Sequence, residues 1–208
     1  MSAVVVISHR GFWRSPEERN QPIAFQRTVR EAFGTETDVR DRGGALVVAH
    51  DMADSEARPW SEILDLFEGT GLPLAVNVKA DGLSDLLKTT MEGRAIDWFA
   101  FDMSGPETVR YVRAGLPFFT RHSDIETSPI LYKAASGVWL DAFECVWFDE
   151  TTIRAHLTAG KRVCVVSPEL HGRPYDAVWA MLRDMNEASG ETVMLCTDHP
   201  DLARAYFA

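Results

Sequence analysis

Short apolar runs of strand length alternate with helix-length segments along the whole of this chain of 208 residues. Strand-like runs at 3–8, 35–39, 74–79, 98–102, 117–121, 138–140, 162–166 and 193–196 are interleaved with helix-like segments. Those segments lie at 23–33, 60–67, 83–91, 106–114, 152–159, 175–186 and 202–207. A further strand-like piece is expected at 145–148, and a short helix at 130–135. The early runs are almost continuously apolar, the pattern of parallel strands covered by helices. Parallel neighbours need crossover connections, and the intervening segments have the length and pattern of helices. About eight such units predict an α/β fold, a compact (β/α)8 TIM barrel smaller than the usual ~250 residues. A doubly wound open sheet is the other solution, but no GxGxxG follows the first run. With no Pro/Gly/Ser-rich linker and no shift in composition, residues 1–208 read as one domain.

Composition narrows the partners. No apolar run approaches the ~20 residues of a membrane span, so no integral membrane segment is expected. The opening MSAVVVIS has no basic start, and reads as a first core strand rather than a signal peptide. A net charge of -10 without a Lys/Arg cluster argues against nucleic acid and anionic membranes. Cys145, Cys164 and Cys196 lack CxxC spacing and lie in apolar runs, which predicts buried free thiols and a cytoplasmic protein.

The polar residues fall at the ends of the predicted strands, where barrels carry their chemistry. The first strand ends in His9-Arg10-Gly11, the second carries Glu36 and Asp38, and a Gly-Gly hairpin returns to His50-Asp51. Asn77 and Lys79 end the third strand, Asp102 the fourth and Arg121 the fifth. Period-two spacing turns Glu36 and Asp38 to one side, as it does Asn77 and Lys79. Two carboxylates on one strand face can share a hard cation, Mg²⁺ or Ca²⁺. Two histidines with Arg10 and Lys79 beside such a cation suit an anionic substrate that needs one acid and one base. A phosphodiester fits. Taken singly, Glu-x-Asp is an ordinary solvated strand face, His-Arg-Gly a capped turn and His-Asp a loop. Their joint occurrence at strand ends carries the inference.

At these residues the chain resembles the glycerophosphodiester phosphodiesterase family of phospholipase-C-like phosphodiesterase barrels. The matching stretches are ISHRG (7–11), ERNQPIAF (18–25), GTETDVRDRGGALVVAHD (34–51), LAVNVKADG (74–82) and, more weakly, CTDHPDLA (196–203). The resemblance implies a metal-dependent TIM barrel that hydrolyses a small-molecule or lipid-derived phosphodiester to an alcohol and a phosphomonoester. It implies His9 and His50 as catalytic histidines, Arg10 as a phosphate contact, and Glu36 and Asp38 as metal ligands. Where the family has Glu-x-Lys on strand three, this chain has Asn77-x-Lys79. An amide oxygen can ligate a hard cation but brings no charge, so Asp102 is a candidate compensating ligand. The family's insertion after His-Asp is missing, leaving only 52–73. The late strand continues into Glu169, His171 and Arg173, so Glu169 and His171 join Lys79, Arg121 and Trp13 as candidate substrate contacts. His122, His156 and His199 read as surface or capping residues, and Trp98, Trp139, Trp147 and Trp179 as packing. Asp141 and Asp149 are left open. Two alternatives stand beside hydrolysis: a barrel that binds a phosphodiester without turnover, and a lyase that releases a cyclic phosphate.

Overall fold

The computed structural model describes residues 4–189 and 193–208, and the chain divides into two compact units. One unit is contiguous, Ser8–Phe118; the other is split, Met1–Ile7 with Phe119–Ala208. The first strand, β1 (Val5–His9), spans the boundary between Ile7 and Ser8.

In the contiguous unit, α1 (Pro22–Arg30) follows β1, and β2 (Gly34–Arg42) and β3 (Ala45–Val48) form the expected hairpin. Gly43 and Gly44 make its turn at φ 58° and 82°, the left-handed pair that a tight hairpin requires. A two-residue strand β4 (Arg58–Pro59) adds to β3 and leads into α2 (Ser61–Phe67). Then β5 (Leu74–Val78), α3 (Ser84–Met91), β6 (Trp98–Phe101) and α4 (Gly105–Ala114) complete the alternation. β2, β5 and β6 run parallel, with Asp38 opposite Asn77 and Asn77 opposite Phe101. Phe25, Trp60, Leu64, Phe67, Phe99 and Tyr111 are buried completely. Burying such a side chain stabilises by about 1.5–3 kcal/mol. β2 departs from the apolar rule: Thr35, Glu36, Thr37 and Asp38 are all buried.

The split unit carries a parallel ladder. β7 (Phe119–His122), β8 (Gly137–Leu140), β9 (Arg162–Val166) and β10 (Met194–Thr197) pair in that order, and the Val5 N–H reaches Val193 O at 2.9 Å. α5 (Glu150–Thr158), α6 (Asp176–Ser189) and α7 (Pro200–Tyr206) are its helices. Asp149 caps α5 by accepting the Thr152 N–H at 2.9 Å. Gly137 lets the chains close, because a Cβ there would lie 2.4 Å from the Phe119 ring.

The elements follow the predicted order, with three corrections. Residues 130–135 make only a turn, because Ile130 and Leu131 are exposed and bury no helix face. Residues 145–148 are a loop: the Asp124 carboxylate takes the N–H groups of Phe143, Glu144 and Cys145, replacing a strand partner. Cys145 is therefore exposed, whereas Cys164 and Cys196 are buried as expected, and all three are free thiols. Ala3, the start of the first predicted strand, lies outside the described residues.

Candidate active site

The turn after β1 is built by side chains from β2 and α1. Arg10 N–H donates to Glu36 O at 3.0 Å and to Glu36 Oε2 at 3.1 Å. Gly11 N–H donates to Thr35 Oγ1 at 3.1 Å, and Phe12 N–H to Thr28 Oγ1 at 2.7 Å. Arg10 takes a left-handed φ of 58°, an uncommon conformation for a side-chain-bearing residue and one that marks functional turns. Its guanidinium comes to rest with Nε 3.0 Å from Asp38 Oδ2.

Around the two buried carboxylates the charges balance closely. Asp38 Oδ2 accepts from Asn20 Nδ2 at 2.7 Å, and Lys79 Nζ lies 3.3 Å from Asp38 Oδ1. That last contact is an ion pair without hydrogen-bond alignment. His9 Nε2 stands 3.9 Å from Glu36 Oε2. Burial, then the nearby Asp38 charge, push the Glu36 carboxyl up to about 7, against the opposing pull of His9, Arg10 and Lys79. Three buried oxygens here have no hydrogen-bond partner: Glu36 Oε1, Asp38 Oδ1 and Asn77 Oδ1. Unsatisfied buried oxygens suit a hard cation, and Asp38 and Asn77 are register partners across β2 and β5. The three therefore fit the expected divalent ion. Among the described residues no group of three or more His, Cys, Asp or Glu side chains is placed to hold a metal. Asp102 directly follows Phe101, the register partner of Asn77, at a left-handed φ of 68°.

His50 follows β3 and is 44% exposed, with Nδ1 2.9 Å from Asp51 Oδ1. A proton on Nδ1 shared with that carboxylate leaves Nε2 as the accepting edge. A cavity of about 500 Å³ opens here, and Arg10, Arg19, Asn20 and His50 all line it. Trp13 donates its indole N–H to the His9 carbonyl at 3.0 Å and lies beneath the Arg19 guanidinium, 4.4 Å away.

The remaining candidates belong to the split unit and form their own cluster. Arg121 pairs with Asp141 and, through Nε, with Glu126 at 3.2 Å. His171 Nε2 meets the other Asp141 oxygen at 2.8 Å. Glu169 accepts from Ser167, Thr197 and the Asp198 N–H, and so ties the ends of β9 and β10. His156 corrects its surface reading: it is buried between Tyr132 Oη at 2.8 Å and His122 Nδ1 at 3.0 Å. Sequence reasoning passed over Asn20 and Arg19 and left Asp141 open. Asn20 and Arg19 lie inside the matching stretch ERNQPIAF, and Asp141 directly follows β8 as Asp102 follows β6.

No protein-family model matches the chain, and no curated protein does. Solved structures do. A glycerophosphodiester phosphodiesterase from Agrobacterium tumefaciens str. C58 superposes with a TM-score of 0.64 at 19% identity, covering 96% of this chain and 99% of its own. A glycerophosphoryl diester phosphodiesterase from Parabacteroides distasonis ATCC 8503 gives 0.70 at 12% identity, covering 98% and 86%. The chain has the fold of these two phosphodiesterases. The expected (β/α)8 TIM-barrel class holds, and the open doubly wound sheet is set aside. The stretches 7–11, 18–25, 34–51 and 74–82, which carry the resemblance in sequence, thus lie in a chain with the same fold as these two structures.

Proposed function

We propose that the chain is a phosphoric diester hydrolase, a metal-assisted phosphodiesterase that splits a glycerophosphodiester-like substrate into an alcohol and a phosphomonoester. The observation that carries this reading is the set of buried acceptors Glu36 Oε1, Asp38 Oδ1 and Asn77 Oδ1, set among Arg10, Lys79 and His9. Glu36, Asp38 and Asn77 would hold Mg²⁺ or Ca²⁺, with Asp102 as a further candidate ligand. The bound ion supplies charge neutralisation at the phosphoryl oxygens. Arg10 and Lys79 add fixed positive charge, and Asn20 holds Asp38 in place.

Hydrolysis needs two proton transfers. A water oxygen bonds to phosphorus while the phosphorus–alcohol oxygen bond breaks. One histidine takes the water proton, and the other gives a proton to the departing alkoxide. His50 presents Nε2 for this exchange because Asp51 faces Nδ1, and His9 stands beside Glu36. Lys79, Arg121, Trp13, Glu169 and His171 stay the proposed substrate contacts, Arg121 and His171 being joined through Asp141 within their own unit. The reading keeps residues 1–208 as one catalytic domain and, on its three free thiols, a cytoplasmic site of action. No helix of the described residues is long and apolar enough to cross a membrane.

Phosphorus NMR of a Mg²⁺-supplemented reaction with glycerophosphoethanolamine tests the proposal. A phosphomonoester resonance is expected. A cyclic phosphate would assign the lyase reaction instead, and no turnover on a panel of phosphodiesters would leave only a binding function.

A further inference from the structure

We infer that Arg19 is a substrate-binding residue of the phosphodiesterase proposed above, its guanidinium meeting the phosphoryl oxygens of the diester in the cavity that it shares with His50 and Arg10. The inference rests on that functional reading and adds a cation that neither the His-Arg-Gly turn nor the carboxylate pair includes. Its neighbours hold the backbone on both sides. Glu18 accepts from Arg27 Nη1 and from the Arg14 N–H, both at 2.8 Å. Asn20, at a left-handed φ of 59°, donates its N–H to Arg10 O at 2.9 Å and its side chain to Asp38. The residue between these anchors has a fixed path.

Trp13 fixes the side chain as well. Its ring is tied to the His9 carbonyl by the indole N–H, and Arg19 lies over it at 4.4 Å. Stacking on an indole fixes the plane of a guanidinium, and that planar fork is suited to phosphate oxygens. One indole thus links the position of Arg19 to the residue that carries the His9 imidazole. Asp51, Asp54 and Glu56 line the same cavity, and each has one carboxylate oxygen engaged within its own loop. Asp54 Oδ1 accepts the Glu56 N–H at 2.9 Å, Glu56 accepts from Ser55 Oγ at 3.2 Å, and Asp51 faces His50. An anion entering beside Arg10 and His50 meets Arg19.

The test uses the whole protein with Mg²⁺, turnover of glycerophosphoethanolamine, and calorimetric binding of glycerol 3-phosphate. Arg19→Ala is expected to raise KM and weaken glycerol 3-phosphate by about 10- to 100-fold, the range of one charge-assisted hydrogen bond, with kcat changed less than about threefold. Trp13→Ala should follow it, and Arg19→Lys should fall between. Added guanidinium should restore Arg19→Ala but not His50→Ala, a rescue that a purely structural role of Arg19 would not give. A KM within about twofold of the parent, or a loss confined to kcat, overturns the inference. If the parent turns over no phosphodiester, the functional reading fails on its own. Equal glycerol 3-phosphate binding by parent and Arg19→Ala, or none by the parent, then overturns the Arg19 assignment too.

Discussion

In the proposed cation site, Asn77 stands where one negative charge more or less would change how tightly the ion is held. Asn77→Glu is expected to tighten Mg²⁺ binding in calorimetric titration, because a carboxylate at the ion outweighs an amide dipole. Unchanged metal affinity with impaired substrate binding would make Asn77 a reader of the substrate, and Asp102 the better third ligand. His9→Ala and His50→Ala should each cut kcat by about 10²–10⁴ with the fold retained, since each removes a positioned proton carrier. Near-normal turnover in either would remove that histidine from the chemistry. Two buried groups also set a pH signature in metal-free protein. Glu36, pushed from 4.5 to about 7, stays protonated in the fold after the unfolded chain has lost that proton. Its contribution therefore falls as pH rises from about 4.5 to 7. His156, held at about 4 against an ordinary 6.5 mainly by burial, is neutral in the fold where the unfolded chain is charged. Its contribution falls as pH drops from about 6.5 to 4. The slopes oppose, so relative to the parent the urea-denaturation profile should rise more steeply with pH in Glu36→Gln and less steeply in His156→Gln. These titrations were not legible in the sequence. Period-two spacing marked Glu36 and Asp38, but the burial that shifts Glu36 belongs to the packed sheet.

Among the elements, the turn between β1 and α1 is the most constrained. Gly11 has φ 84°, and a Cβ there would lie 2.8 Å from Ala24 Cβ on α1. Gly11→Ala should destabilise by about 2–4 kcal/mol, combining a left-handed backbone with overpacking, and a lowered urea midpoint would register it. A midpoint equal to the parent's would mean that α1 yields freely. Elements whose pattern reflects local burial were legible: β9 keeps the bounds 162–166, and the Gly-Gly hairpin is where its turn chemistry put it. Residues 145–148 misled because an apolar run signals burial only if a partner covers it. There Val146 is exposed, and a carboxylate from residue 124 supplies the backbone's bonds. His156 misled in the opposite sense, since its cover comes from Tyr132 and His122, far off in sequence.

At the scale of the molecule, the alternation of runs specified the class of fold, while the division into a contiguous and a split unit has no signature in local pattern. If residues 1–208 act as one domain, calorimetric and van't Hoff unfolding enthalpies should agree. A calorimetric excess would mean that the units melt apart. The split has a consequence for the growing chain. Val5–Ile7 emerges first, yet its sheet neighbour β10 comes near the end. At about 5–20 residues per second, the ribosome needs roughly 4–16 s to add the stretch from Phe119 to Cys196. Through that interval Ser8–Phe118 is already fully translated, and the apolar Val5-Val6-Ile7 waits without its β10 partner. Aggregation or chaperone capture during translation should begin at this waiting segment.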